Sequence, residues 1–141
     1  MKPILLHLRG SIGVRDGLGL DEISIDFTQF SPGLICLVGP NGSGKTSILD
    51  NTHPYLCLAS RDGHLASHFY LQDSYRDFTF EMEHTHYRSL ILIDAKTGRN
   101  EAYLYMNDLP LNDGKIITYK QAVDSLLGPP ELFFQSIFSG Q

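Results

Sequence analysis

The stretch Leu34-Ile35-Cys36-Leu37-Val38-Gly39-Pro40-Asn41-Gly42-Ser43-Gly44-Lys45-Thr46-Ser47-Ile48-Leu49 decides how the rest of the chain is read. Its first five residues form an unbroken apolar run, the pattern of a strand buried on both faces. Gly39 to Thr46 then satisfies the spacing of glycine, four residues, glycine, lysine and a hydroxyl residue. Ile48 and Leu49 begin the inward face of a helix that starts near Lys45. Strand, glycine loop and helix, in that order, form an anion cradle. Gly42 and Gly44 let the backbone curl so that successive N–H groups point at one oxygen cluster, and the helix N-terminus adds its partial positive charge. Lys45 is the candidate catalytic cation for terminal phosphates, and the Thr46 hydroxyl is a candidate Mg²⁺ ligand. Asn41, Gly42, Ser43, Gly44, Lys45, Thr46 and Ser47 are therefore the candidate cofactor-binding residues, and ATP with Mg²⁺ is the implied cofactor.

Outward from this loop the pattern is that of one α/β domain. Residues 4–9 and 22–27 read as strands, the second with Ile23, Ile25 and Phe27 alternating against polar neighbours. Gly10 to Gly19, with four glycines, reads as a loop, and Pro32-Gly33 as a turn. Pro54 predicts a short or kinked helix after the phosphate loop. Residues 60–72 lose periodicity and predict a surface excursion. Phe78, Phe80 and Met82, then residues 87–94 and 101–106, predict an antiparallel meander turning at 95–100. Thr118 with Gln121 predicts a capping box, followed by an apolar helix face of Ala122, Val123, Leu126 and Leu127 that stops at Gly128-Pro129-Pro130. Residues 131–138 form a last amphipathic stretch. The fold class is a P-loop NTPase with a mixed sheet, the meander and flanking helices.

The 141 residues suffice for one sizeable core, with 42% hydrophobic and 19% charged residues. A net charge of −5 excludes the broad basic surface of a protein that binds nucleic acid unaided. The run Ile4-Leu5-Leu6 is too short for a signal-peptide core or a membrane span, which predicts a cytoplasmic protein with no membrane partner. Cys36 and Cys57 each lie in an apolar stretch and are predicted to be buried, reduced thiols. His64, His68, His84 and His86 with Cys57 lack a regular zinc-ligand spacing. Asp94, at the end of Leu90-Ile91-Leu92-Ile93, stands where a second magnesium-holding acid would stand. Ala95-Lys96-Thr97-Gly98 after it instead predicts a hairpin turn.

The opening strand, Ile23-Ser24-Ile25-Asp26-Phe27, the glycine loop and the tail Ser136-Ile137-Phe138-Ser139-Gly140-Gln141 together resemble the N-terminal ATPase lobe of SbcC-type DNA double-strand-break repair ATPases, relatives of SMC proteins with an ABC-class head. The resemblance spans nearly the whole chain. It implies an N-terminal lobe over residues 1–141 whose Q-loop glutamine is Gln141, a catalytic and metal-contacting residue. It also implies a base-proximal role for Arg15. The coiled coil, the signature loop and the catalytic acid would belong to a C-terminal lobe outside this sequence. The implied partners are that C-terminal lobe, a second head in an ATP-sandwiched homodimer, an SbcD-like nuclease and DNA. The expected activity is ATP hydrolysis by the full-length protein, with little or none from these residues alone. An ABC-transporter ATPase subunit, or a self-contained P-loop kinase or NTPase, is the alternative; a GTPase would need an Asn-Lys-x-Asp element that is absent.

Overall fold

Apolar and polar side chains alternate along five segments, and this period of two builds the sheet. The computed structural model describes residues 1–60 and 63–137. Its strands are β1 (Lys2–Arg9), β2 (Glu22–Asp26), β3 (Ser74–Met82), β4 (Thr85–Ile93), β5 (Asn100–Met106) and β6 (Leu109–Pro110), ordered β2-β1-β3-β4-β5-β6. Every pairing is antiparallel, so the mixed sheet expected from the sequence is corrected to an antiparallel one among the described residues. The expected meander is β3, β4 and β5. Register sets Leu6 beside Phe78, Phe80 beside Tyr87 and Ser89 beside Leu104, which brings the apolar side chains of each strand to one face. Phe80 stacks on Phe78 at 5.5 Å and on Tyr87 at 5.4 Å between ring centroids.

Four helices accompany the sheet: α1 (Ile12–Leu18), α2 (Lys45–Leu49), α3 (Ile116–Leu127) and α4 (Pro130–Ile137). Helix α3 buries Tyr119 and Val123, and α4 buries Phe133. The stop after α3 is as predicted, with Gly128 at φ 80° donating its N–H to the Asp124 carbonyl at 2.9 Å. The capping box is corrected. Lys115 is the N-cap, and Thr118 lies inside the first turn with its hydroxyl donating to the Asp113 carboxylate. Asp113 also receives the Lys115 ammonium at 2.7 Å, and these two partners hold its carboxyl well below the usual range. Asp113 thus organises the turn that Gln121 was expected to cap. Residues 60–72 include a 3-10 helix at Leu65–His68.

Two further expectations are overturned. Gly10 to Gly19 is not all loop, because its centre forms α1, closed by Gly19 at φ 68°. Leu34 to Val38 forms no strand: Leu34 is 93% and Val38 92% exposed, and Cys36 is exposed rather than buried. Hydrophobicity states what a segment can bury, and within these residues nothing packs over this one. Val38→Asp is accordingly expected to change stability by no more than about 0.5 kcal/mol. Phe80→Ala, in the core, should cost about 3–5 kcal/mol. Chemical denaturation of the two variants checks this; a loss from Val38→Asp comparable to that of Phe80→Ala would contradict the exposed placement.

The segment leaving α2 is fastened to the sheet by a buried polar hub. Arg76 of β3 is fully buried and donates to the carbonyls of Pro54 at 2.9 Å and Tyr55 at 2.8 Å. Tyr119 donates to the same Pro54 carbonyl and stands 2.6 Å from the Ser89 hydroxyl. The Tyr55 hydroxyl donates to the Gly128 carbonyl at 2.8 Å, and burial pushes its pKa up to about 12. Next to it, His53 is fully buried with its ring 4.9 Å from that of Phe134. Burial, and secondarily the Arg76 charge, push its pKa well below 6.5. A depressed imidazole pKa favours the folded state above the unfolded value and loses that contribution as pH falls through the folded one. The melting temperature is therefore expected to fall as pH drops below about 6.5. His53→Leu should flatten that fall, and an unchanged slope in the folded variant would contradict this origin.

Candidate functional site

Helix α2 begins where the glycine loop ends, with Gly44 as its N-cap at φ 81° and Gly42 at φ 83°. Both are left-handed conformations that side-chain-bearing residues rarely adopt, which is the backbone reason for glycine at these two places. The loop curls around a cavity of about 430 Å³ lined by Asn41, Gly42, Ser43, Gly44, Lys45, Thr46 and Ser47, closed on the other side by Ile12, Gly13 and Asp16 of α1. Seven predicted cofactor-binding residues are thus brought together. The Pro54 punctuation also holds: α2 ends at Leu49, and the Asn51 side-chain amide donates to the Ser47 carbonyl at 2.6 Å.

The Lys45 ammonium donates to the carbonyls of Gly39 at 2.8 Å and Pro40 at 2.7 Å and lies 3.5 Å from the Ser43 hydroxyl. It spans the loop and places a positive charge at the cavity. Thr46 is exposed and lines the cavity, so its hydroxyl is available to a cation held against phosphate oxygens. The first-turn N–H groups of α2 have no partner within the helix and add donors. The donor set, the two left-handed glycines and the cavity fit a polyphosphate chain with its divalent cation. Ser47 is buried, so its contribution is to the cavity floor.

The other predicted site residues are placed differently. Arg15 is exposed on α1, pairs with Asp16 at 2.8 Å and sets its guanidinium 4.4 Å from the centre of the Tyr70 ring, whose hydroxyl donates to Asp21. It does not line the cavity, whereas its neighbour Asp16 does. Gln141 lies outside the described residues. Asp94 is a turn residue as expected, accepting from the N–H groups of Lys96 at 2.9 Å and Thr97 at 3.0 Å. Those bonds, the one from Thr97 foremost, hold its carboxyl below the usual range, and it lines a separate surface depression with Arg99 and Glu101. The contribution of α1 was missed from sequence. Its available signal was Gly13 and Gly17, four apart and hence on one face of a helix.

A larger cavity of about 660 Å³, lined by Tyr55, Cys57, His64, Tyr119, Lys120 and Glu131 among others, shares no residue with the loop cavity. Cys57 and His64 meet there as an isolated antiparallel bridge, and among the described residues no group of three or more His, Cys, Asp or Glu is placed to hold a metal. No helix among the described residues is long and apolar enough to cross a membrane. A family model described as an AAA domain matches residues 18–123. No curated protein matches the chain.

Proposed function

Because this chain belongs to the AAA domain family of nucleotide-binding ATPases, we propose that it is the ATP- and Mg²⁺-binding N-terminal lobe of an SbcC-type, SMC-like head that serves DNA repair. The observation that carries the nucleotide part is the loop itself, with Gly42 and Gly44 left-handed and Lys45 spanning a cavity of about 430 Å³. Asn41 to Thr46 cradle the phosphates, Lys45 neutralises their charge, and Thr46 holds the cation that balances the terminal oxygens.

The lobe assignment is supported by Leu34 to Val38. An apolar run of strand-like composition lies exposed directly before the loop, and a C-terminal lobe is the partner proposed to cover it. The carboxylates of the described residues around the loop are otherwise engaged: Asp16 pairs with Arg15 at 2.8 Å, Asp50 binds Ser60 at 2.5 Å, and Asp94 sits in its own turn. Hydrolysis is therefore assigned to the two-lobe head, dimerised around ATP. DNA and an SbcD-like nuclease are proposed as partners of that assembly. On the sheet itself, Arg9 is engaged by Asp73 and Glu22 and Arg88 by Asp77, which agrees with DNA being held by more than this chain. The test is a steady-state ATPase assay of residues 1–141 against the same residues fused to the C-terminal lobe. The expected result is turnover from the fusion alone; equal turnover from both, sensitive to Lys45, would place the catalytic base within this chain.

A further inference from the structure

The seam between α1 and the phosphate loop is backbone against backbone. A Cβ built on Gly17 would lie 2.4 Å from the Gly44 nitrogen and 2.5 Å from the Gly42 carbonyl oxygen and the Ser43 carbonyl carbon. A Cβ on Gly44 would lie 3.0 Å from the Gly13 carbonyl oxygen. These neighbours are main-chain atoms that cannot swing aside, so any side chain at residue 17 must push α1 off the loop. Gly17 has no left-handed φ to explain it, and glycine inside a helix weakens that helix. Close approach to the loop is the remaining reason for glycine at this place.

The same helix delivers Asp16 into the cavity wall, opposite Asn41 to Ser47. Its carboxylate is 60% exposed and keeps Arg15 at 2.8 Å, but the Arg15 guanidinium is drawn outward over Tyr70 and does not enter the cavity lining. A carboxylate carried by the wall of a phosphate cavity repels a bare polyphosphate. It repels far less a polyphosphate whose charge is partly cancelled by a divalent cation. The geometry points to α1 as the wall that selects metal-complexed over metal-free nucleotide, with Gly17 positioning the helix and Asp16 supplying the selecting charge. This rests on the nucleotide reading above and adds to it a discrimination that the loop alone does not make.

Calorimetric titration with ATP at low ionic strength, once with excess Mg²⁺ and once with a chelator, tests it. The wild-type chain is expected to bind the magnesium form at least about tenfold more tightly. Asp16→Asn, an exposed change that spares the fold, should narrow the ratio to about threefold or less by improving metal-free binding. Gly17→Ala should narrow the ratio as well, because it moves Asp16 away from the cavity. Leu18→Ala, an exposed position on the same helix outside the cavity lining, should leave the ratio unchanged. A ratio unaltered by Asp16→Asn would overturn the proposal whether or not Gly17→Ala folds. A ratio altered by Asp16→Asn but not by a folded Gly17→Ala would overturn the positioning role of Gly17. Failure of the wild-type chain to bind either form would overturn the nucleotide reading itself.

Discussion

Lys45→Ala is expected to weaken Mg-ATP binding by at least about a hundredfold, while the unliganded chain keeps its melting temperature to within about 2 °C. The two halves of this expectation come from the same geometry. In the unliganded chain the ammonium rests on two exposed carbonyls, Gly39 and Pro40, which water solvates equally well once the lysine is gone. With phosphates in the cradle it is the positive side chain lining the cavity, and removing it leaves like charges facing the wall that carries Asp16. Lys45→Arg should not restore binding, because a planar guanidinium does not replace a compact point charge in a loop this tight. Calorimetry with a parallel melt checks both halves. Retained affinity in a folded variant would remove the loop from the function.

Arg76→Ala is expected to produce the largest loss of stability of any polar substitution in the chain, about 3 kcal/mol, lowering the melting temperature by roughly 10 °C. Arg76 is fully buried, and its loss strips donors from the Pro54 and Tyr55 carbonyls while opening a void under Tyr119. Burial holds its pKa below the ordinary arginine value, so the charge is retained at a solvation cost that the carbonyls and Tyr119 offset. The variant should also bind nucleotide less well, since the strand-anchored exit of α2 is the fixed end of the helix that presents Lys45 and Thr46. Thermal denaturation is the measurement. A shift of only one or two degrees would show that the hub is not a principal anchor.

The elements legible from sequence share one property: their signal is local. The period of two in Phe78, Phe80 and Met82 marks β3 because alternation is what a half-buried strand requires. Asp94 in its turn and Pro54 beyond α2 were legible for the same reason, each residue acting on its own backbone. What was not legible depends on neighbours distant in sequence. Four glycines between Gly10 and Gly19 suggest a loop by composition, yet Gly17 is there to let a helix lie on the phosphate loop. Leu34 to Val38 has strand composition, but a strand forms only beside another strand, and among the described residues none pairs with it. Arg76 carries no local signal in the sequence, and its hub becomes visible only when Pro54 and Tyr119 are brought over it. Within the site, the motif residues were identifiable one by one, whereas Asp16 and Ile12 enter it through the packing of α1.

The central claim is that the loop from Asn41 to Ser47 is where a nucleoside triphosphate binds, and amide-resolved NMR of the isotope-labelled chain titrated with Mg-ATP tests it most directly. The account predicts saturable shifts concentrated at Gly42, Gly44, Lys45 and Thr46, with a second set at Gly13 and Asp16 across the cavity, and their disappearance in Lys45→Ala. Shifts gathered instead at Tyr55, His64 and Lys120 around the larger cavity, or no saturable shifts at all, would contradict it.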